Sequence, residues 1–260
     1  MILLFQIKFT SGSSFYRMNN ILIFLFLTTL FLTGSIHAQP IYGIKANKKI
    51  ALTFDACMTT GMLKRVNNGK DNDLYNKAII EYLHQEKVPA TIFITGLWAE
   101  KYPEFVKEIA GDPLFEIGNH SYSHRSFTED CYSLPVLPVG EKESDILKTQ
   151  EILTRLTGKT PKLFRFPGGC FNQTDMNLTK KLGLKVVNWT FASGDAFNPN
   201  TEAIVQNVLH NARSGAIVVF HLSGGRYAPK TEEVIKKIIP ELKKQGYELW
   251  TVSNLGKITD

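Results

Sequence analysis

Strands and helices alternate along most of this chain, and that alternation restricts the fold more than any other feature of the sequence. Seven apolar runs predict strands, and segments with helical periodicity separate them. Such a pattern predicts parallel βαβ units in an α/β fold. The expected strands are 49–55, 90–95, 114–119, 162–166, 185–190, 216–221 and 247–252, and the expected helices are 73–86, 98–110, 141–156, 174–182, 201–212 and 230–245.

Two architectures satisfy this alternation, a (β/α) barrel and an open doubly wound sheet. A nucleotide-binding sheet is disfavoured, because no glycine-rich phosphate loop follows the first strand. The 260 residues are enough for one large domain with a substantial core.

The N-terminal segment has the features of an export signal. Residues 21–32 are apolar residues and threonines, Arg17 precedes them, and the stretch Thr-Gly-Ser-Ile-His-Ala at 33–38 follows, with cleavage expected after Ala38. We expect 1–38 to be a signal peptide, with Met18 as an alternative start, and 39–260 to be the catalytic domain. The mature protein is then periplasmic or extracellular, with an uncleaved membrane anchor as the alternative.

The net charge and the cysteine content limit which classes of binding partner and which cellular compartment fit this protein. The formal net charge is +6, and loss of Lys8 and Arg17 with the signal leaves +4 (6 − 2), well short of the charge of a nucleic-acid-binding protein. We expect no nucleic-acid partner, and no stable protein partner is evident. Export permits disulfides. We predict one between two of Cys57, Cys131 and Cys170, with three unpaired thiols as the alternative.

Polar residues recur at the carboxyl ends of the predicted strands, which open on one face of a parallel barrel. Singly, each has a structural explanation, such as a helix cap, a surface ion pair or a core histidine. Together they predict one active site. The residues are Asp55, His120, Arg165, Trp189, Asp195 and His221.

His120 and His124 are four residues apart. If the chain is helical after His120, both imidazoles lie on one face and can hold one metal ion.

These residues fall in motifs that resemble those of the polysaccharide deacetylases of carbohydrate esterase family 4, which carry the NodB homology domain. The resemblance covers about residues 50–255 and implies a distorted (β/α)7 barrel. The matching motifs are Thr-Phe-Asp-Ala-Cys at 53–57, His-Ser-Tyr-Ser-His at 120–124, Arg-Phe-Pro-Gly-Gly at 165–169 and Val-Phe-His at 219–221.

The resemblance also implies roles for the site residues. Asp55 is the expected general base, Arg165 orients it, His221 is the general acid and Asp195 tunes that histidine. The expected substrate-contacting residues are Trp189, Gly168 and Phe220. Two positions depart from the family pattern in the pocket wall: Ala196 stands where a tryptophan is usual, and Val219 replaces a leucine.

A third departure concerns the metal. The family's second aspartate is Ala56 here, which leaves His120 and His124 as matched ligands for a divalent ion, Zn²⁺ first with Co²⁺ or Ni²⁺ as alternatives. Asp55, the Cys57 thiolate or a water molecule could complete the ligand set. We expect water, because the other residues suffice for the reaction and Cys57 is open to oxidation. Ala56→Asp is then expected to tighten metal binding, provided that the carboxylate fits.

The predicted activity is removal of N-acetyl groups from the amino sugars of a cell-envelope polysaccharide, so the expected partner is an N-acetylated polysaccharide or oligosaccharide. Two other functions stay open. One is carbohydrate binding on a decayed deacetylase scaffold, and the other is deacylation of a lipid-linked sugar or an acetyl ester.

Overall fold

The computed structural model describes residues 39–256, apart from residues 46, 73, 224 and 225. The predicted signal peptide at 1–38 lies outside the described residues.

Eight strands form one sheet in the order β5–β4–β3–β2–β1–β7–β6, and β8 pairs with the start of β1. The paired strands are parallel, and the sheet is curled into the predicted distorted (β/α)7 barrel. The strands are β1 (Lys49–Ala56), β2 (Ala90–Ile94), β3 (Phe115–Asn119), β4 (Leu163–Phe164), β5 (Lys185–Val186), β6 (Phe191–Ala192), β7 (Ile217–His221) and β8 (Glu248–Leu249).

Helices connect these strands. Pro103 begins a separate helix, since it lacks an N–H group, and this divides the predicted helix 98–110 in two. The helices are α1 (Thr60–Asn67), α2 (Lys77–Gln85), α3 (Gly96–Lys101), α4 (Pro103–Gly111), α5 (Lys142–Thr157), α6 (Gln173–Lys181), α7 (Thr201–Asn211), α8 (Thr231–Lys244) and α9 (Val252–Gly256). Within the described ranges, none is long and apolar enough to cross a membrane.

The two faces of β1 have different surroundings, as the two-residue period of a strand requires. Leu52, Phe54 and Ala56 are fully buried in the main apolar cluster, which also contains residues of α2, α4 and α8. Asp55 and Cys57 alternate with them and face the site at the carboxyl end of the barrel. The sheet thereby separates the apolar core from the polar groups.

Candidate active site

A buried ion pair lies at the centre of the site. Asp55 at the end of β1 accepts a 2.7 Å hydrogen bond from the guanidinium of Arg165, which follows β4. Arg165 is fully buried; it also donates to the carbonyl oxygens of Val187 and Asn188 and packs on the ring of Phe93. Burial alone would raise the pKa of Asp55, but the charges of Arg165 and the nearby histidines outweigh burial and lower it. The carboxylate is therefore ionised and held in place.

The two histidines of the predicted metal motif do meet, but not on a helix. Ser121 and His124 have positive φ angles of 65° and 56°, so residues 120–124 form a tight loop and not a helical turn. Asn119 and Asp145 accept hydrogen bonds from backbone N–H groups of the loop and stabilise it. The rings of His120 and His124 end with their centroids 4.9 Å apart.

The donor atoms here suit a metal ion. His120 Nδ1 lies 2.9 Å from the carbonyl oxygen of Arg165, so Nδ1 carries the proton and Nε2 keeps a lone pair. Nε2 is buried and, among the described residues, has no hydrogen-bond partner. Burial lowers the pKa of His120, and burial together with the neighbouring His120 lowers that of His124 to about 3. Both imidazoles are neutral at physiological pH, as metal ligands must be.

Cys57 lies beside these histidines. Its sulfur and one nitrogen of each histidine are all within 4.8 Å of one another. Burial, with the charges of Asp55 and Asp195, raises the pKa of this thiol well above its usual value, so it is protonated before any metal binds. The residues present fit a divalent metal ion.

His221 and Asp195 form the second polar unit of the site. The Nδ1 atom of His221 lies 2.9 Å from Oδ1 of Asp195, and its backbone N–H donates to Oδ2. The hydroxyls of Ser193 and Thr231 also donate to this carboxylate. Burial would lower the pKa of His221, but Asp195 outweighs burial and raises it above the ordinary value. An imidazolium here is a suitable proton donor.

Both polar units open into one cavity of about 330 Å³. Trp189 and Gly168 line it, and their contact with substrate stays a prediction. Phe220 does not line it: it is fully buried on the opposite face of β7 and stacks on Phe54, with ring centroids 5.5 Å apart. Val219 supplies that part of the wall. The expectation for Phe220 is therefore corrected.

Two exposed aromatic residues stand beside the cavity and were not predicted as site residues. Tyr132 and Phe197 are 68% and 82% exposed, line the cavity and stack on each other with centroids 6.1 Å apart. Phe197 follows Ala196, so an aromatic ring is present one residue beyond the usual tryptophan position. Tyr132 follows Cys131, and its place next to a candidate disulfide cysteine is the sequence signal that could have identified it.

The predicted disulfide joins Cys131 to Cys170, and Cys57 is free and buried. The bond ties the loop that carries Tyr132 to the turn after β4. Gly168 in that turn has a φ of +64°, and a Cβ there would lie 2.5 Å from the sulfur of Cys131. Glycine is thus required for this close packing.

Several known proteins are similar to this chain. The family model for polysaccharide deacetylases matches residues 43–187. A peptidoglycan-N-acetylglucosamine deacetylase of Bacillus cereus is 36% identical over 211 residues, which cover 80% of this chain and 88% of the relative.

Solved structures share the fold. The crystal structure of the Bc1960 peptidoglycan N-acetylglucosamine deacetylase is similar with a TM-score of 0.71 and 28% identity, over 84% of this chain and 92% of that one. A family 4 pseudoenzyme from Bacillus anthracis, BA3943, is similar with a TM-score of 0.68 and 26% identity, over 84% of this chain and 68% of that one. The fold alone therefore does not establish turnover.

Proposed function

Since the chain belongs to the polysaccharide deacetylase family, we propose that it removes N-acetyl groups from the amino sugars of peptidoglycan. One observation carries the proposal. A carboxylate with a lowered pKa, Asp55, and an imidazole with a raised pKa, His221, line the same cavity. Two groups whose environments separate their pKa values in this way form a base and acid pair.

Asp55 takes the proton of the attacking water. Arg165 keeps the carboxylate ionised and fixes its orientation through the 2.7 Å hydrogen bond. His120 and His124 would hold a divalent metal ion, which when bound polarises the acetyl carbonyl and lowers the pKa of water. The base lies close to the metal ligands, with Oδ2 of Asp55 3.5 Å from Nε2 of His120.

His221 gives a proton to the departing amine. Asp195 holds the ring through Nδ1, so Nε2 is the nitrogen left for the substrate. Because Asp195 is itself held by Ser193 and Thr231, the imidazole is fixed in orientation. This unit supplies the proton without which an amine is a poor leaving group.

The cavity wall suits a sugar ring. Trp189, Tyr132 and Phe197 present apolar ring surface, and Tyr227 adds a phenolic ring. Rings of this kind pack against the C–H faces of a saccharide and leave its hydroxyls to water. Peptidoglycan is named because the relatives reported above act on it, and the same wall accepts other N-acetylated saccharides.

Export is part of the proposal. A disulfide between Cys131 and Cys170 is typical of proteins outside the cytosol. Peptidoglycan also lies outside the cytoplasmic membrane, so the enzyme and its substrate would share a compartment.

The test measures acetate release by purified protein from peptidoglycan and from N-acetylated chito-oligosaccharides, together with bound metal. Acetate release that Asp55→Asn abolishes supports the proposal. Saccharide binding without acetate release would instead indicate a carbohydrate-binding protein, and release only from acetyl esters would indicate a different deacylase.

A further inference from the structure

The free cysteine of the site has no part in the mechanism described above. Cys57 is 7% exposed, and of the three cysteines, all within the described ranges, it is the one outside the disulfide. Its sulfur lies within 4.8 Å of one nitrogen each of His120 and His124. A buried thiol next to two neutral imidazoles is an arrangement that suits a soft metal ion.

A second, independent observation also indicates a ligand. The Nε2 atom of His120 is buried with its lone pair unused by any described residue. Its nearest carboxylate oxygen, Oδ2 of Asp55, is 3.5 Å away, and a neutral imidazole nitrogen without its proton cannot donate to it. A buried nitrogen in this state is costly unless something binds it.

The strand geometry of β1 decides which neighbouring residue can complete the ligand set. Ala56 is fully buried in the apolar cluster together with Phe54 and Ile94, and its methyl group has no donor atom for a metal. Cys57, like Asp55, points towards the cavity. Asp55 is already engaged through Oδ1 with Arg165. Cys57, the residue after Ala56, is therefore placed to bind the metal.

We propose that Cys57 is the third protein ligand of the metal, so that the centre is Cys57–His120–His124 and takes Zn²⁺ or Co²⁺. This rests on the proposed function for the reaction, but the ligand assignment is testable without turnover. The thiol loses its proton to solvent as the ion binds, and the metal–sulfur bond forms from the thiolate. Three protein ligands leave a position for water, as catalytic zinc sites do. The thiolate replaces the water that the sequence suggested as third ligand.

The experiment is titration of the metal-free full chain with Co²⁺, followed by absorption spectroscopy. One equivalent of Co²⁺ is expected to produce a near-ultraviolet thiolate-to-cobalt charge-transfer band. The band reports Cys57 alone, because Cys131 and Cys170 are joined in the disulfide. Zn²⁺ is expected to displace Co²⁺ and abolish the band.

Variants at two adjacent positions sharpen the test. Cys57→Ser is expected to lose the band and weaken Co²⁺ binding by about 100-fold or more, beyond the usual effect of an outer-shell change. Cys57→Asp is expected to lose the band but retain binding of one equivalent, because a carboxylate can replace the thiolate. Ala56→Gly is the matched control, and it is expected to keep the band, because it changes the adjacent position without adding or removing a donor atom.

The outcomes separate this assignment from the proposed function. Binding of one equivalent of Co²⁺ without a charge-transfer band overturns the cysteine ligand, and so does a Cys57→Ser variant that binds Co²⁺ as tightly as the wild type. Folded wild-type protein that binds no Co²⁺ overturns it too. A band without acetate release from any N-acetylated saccharide supports the cysteine ligand and contradicts the proposed function. If Cys57→Ser does not fold, the wild-type spectrum still tests whether Cys57 is a ligand.

Discussion

The acid half of the site consists of His221 and Asp195, and the metal half consists of Cys57, His120 and His124. The two halves differ in how many of their polar atoms have a partner within the protein. In the acid half, both oxygens of Asp195 accept hydrogen bonds, from His221, Ser193 and Thr231. In the metal half, His120 keeps a buried nitrogen without a described partner, and Cys57 has a free thiol. The acid half is therefore preorganised in the folded chain, whereas the metal half becomes complete only when an ion binds. Removal of metal should therefore leave the hydrogen bonds of the acid half in place, while the metal half becomes incomplete.

The largest expected effect comes from the residue at the boundary between the halves. Asp55→Asn should lower turnover by about 10³–10⁴-fold, because the amide cannot accept the proton from water. Acetate release under saturating substrate and metal measures it. The fold should persist, as checked by circular dichroism.

The matched control is Asp175→Asn. Asp175 is also a buried aspartate, paired with Lys142 at 2.7 Å, but it lies outside the cavity lining. That variant should lose stability and keep its turnover. Equal turnover in Asp55→Asn and the wild type would remove the general-base role.

A smaller loss is expected in the acid half. His221→Ala should reduce turnover by about 10²–10³-fold, because water can partly replace the proton donor. Co²⁺ binding should be almost unchanged, since His221 is not one of the three proposed ligands. His84→Ala is the control: His84 forms a His–Asp pair with Asp112 at 2.6 Å on the protein surface. A His221→Ala variant that no longer binds Co²⁺ would show that the halves are not independent.

A milder substitution in the acid half is expected to shift the pH dependence of turnover. Asp195 raises the pKa of His221, so the acid stays protonated, and the enzyme active, to a pH above the ordinary histidine value. Asp195→Asn removes the charge and lowers that pKa. The alkaline limb of the kcat profile should therefore move to lower pH, with lower turnover at neutral pH. An unmoved alkaline limb would mean that another group controls it.

The smallest effect is expected at the disulfide. A chain with both Cys131→Ser and Cys170→Ser should have a KM raised roughly two- to fivefold and a kcat close to the wild type, because Tyr132 is held less firmly beside the cavity. Its free energy of unfolding should fall by about 2–4 kcal/mol. A fall in kcat with unchanged KM would indicate that the loop supports the catalytic groups instead.

Much of the fold followed from the sequence. The first three strands and β7 are long apolar runs, and their predicted bounds are within about two residues of those observed. The last strand was predicted too long, because only its first residues reach β1, at Lys49 and Ile50. Helix α1 was missed, since the asparagine, glycine and lysine residues at its end and directly after it, at 67–72, are typical of a loop. Its signal was Thr59, whose side chain caps the helix by accepting from the N–H of Met62.

Residue type alone was enough to predict some residues of the site. Other features depend on the orientation of a side chain or of the backbone, and these were harder to predict. Asp55, Arg165, Asp195 and His221 were identified by residue type at strand ends, although their catalytic roles stay predictions. The position of Phe220 required the strand period: if His221 faces the cavity, its neighbour faces the core. The loop that joins His120 to His124 depends on two positive φ angles, which residue spacing does not reveal.

The pairing of Cys131 with Cys170 has a consequence for oxidative folding of an exported chain. A chain that crosses the membrane N-terminus first presents Cys57 and Cys131 to the oxidising compartment before Cys170 emerges. A bond between that first pair would consume the free thiol and displace the loop that carries Tyr132. The native product therefore requires either early burial of β1 or correction by a disulfide isomerase. If β1 is buried late, the yield of native protein from an exported chain depends on the host's disulfide isomerase.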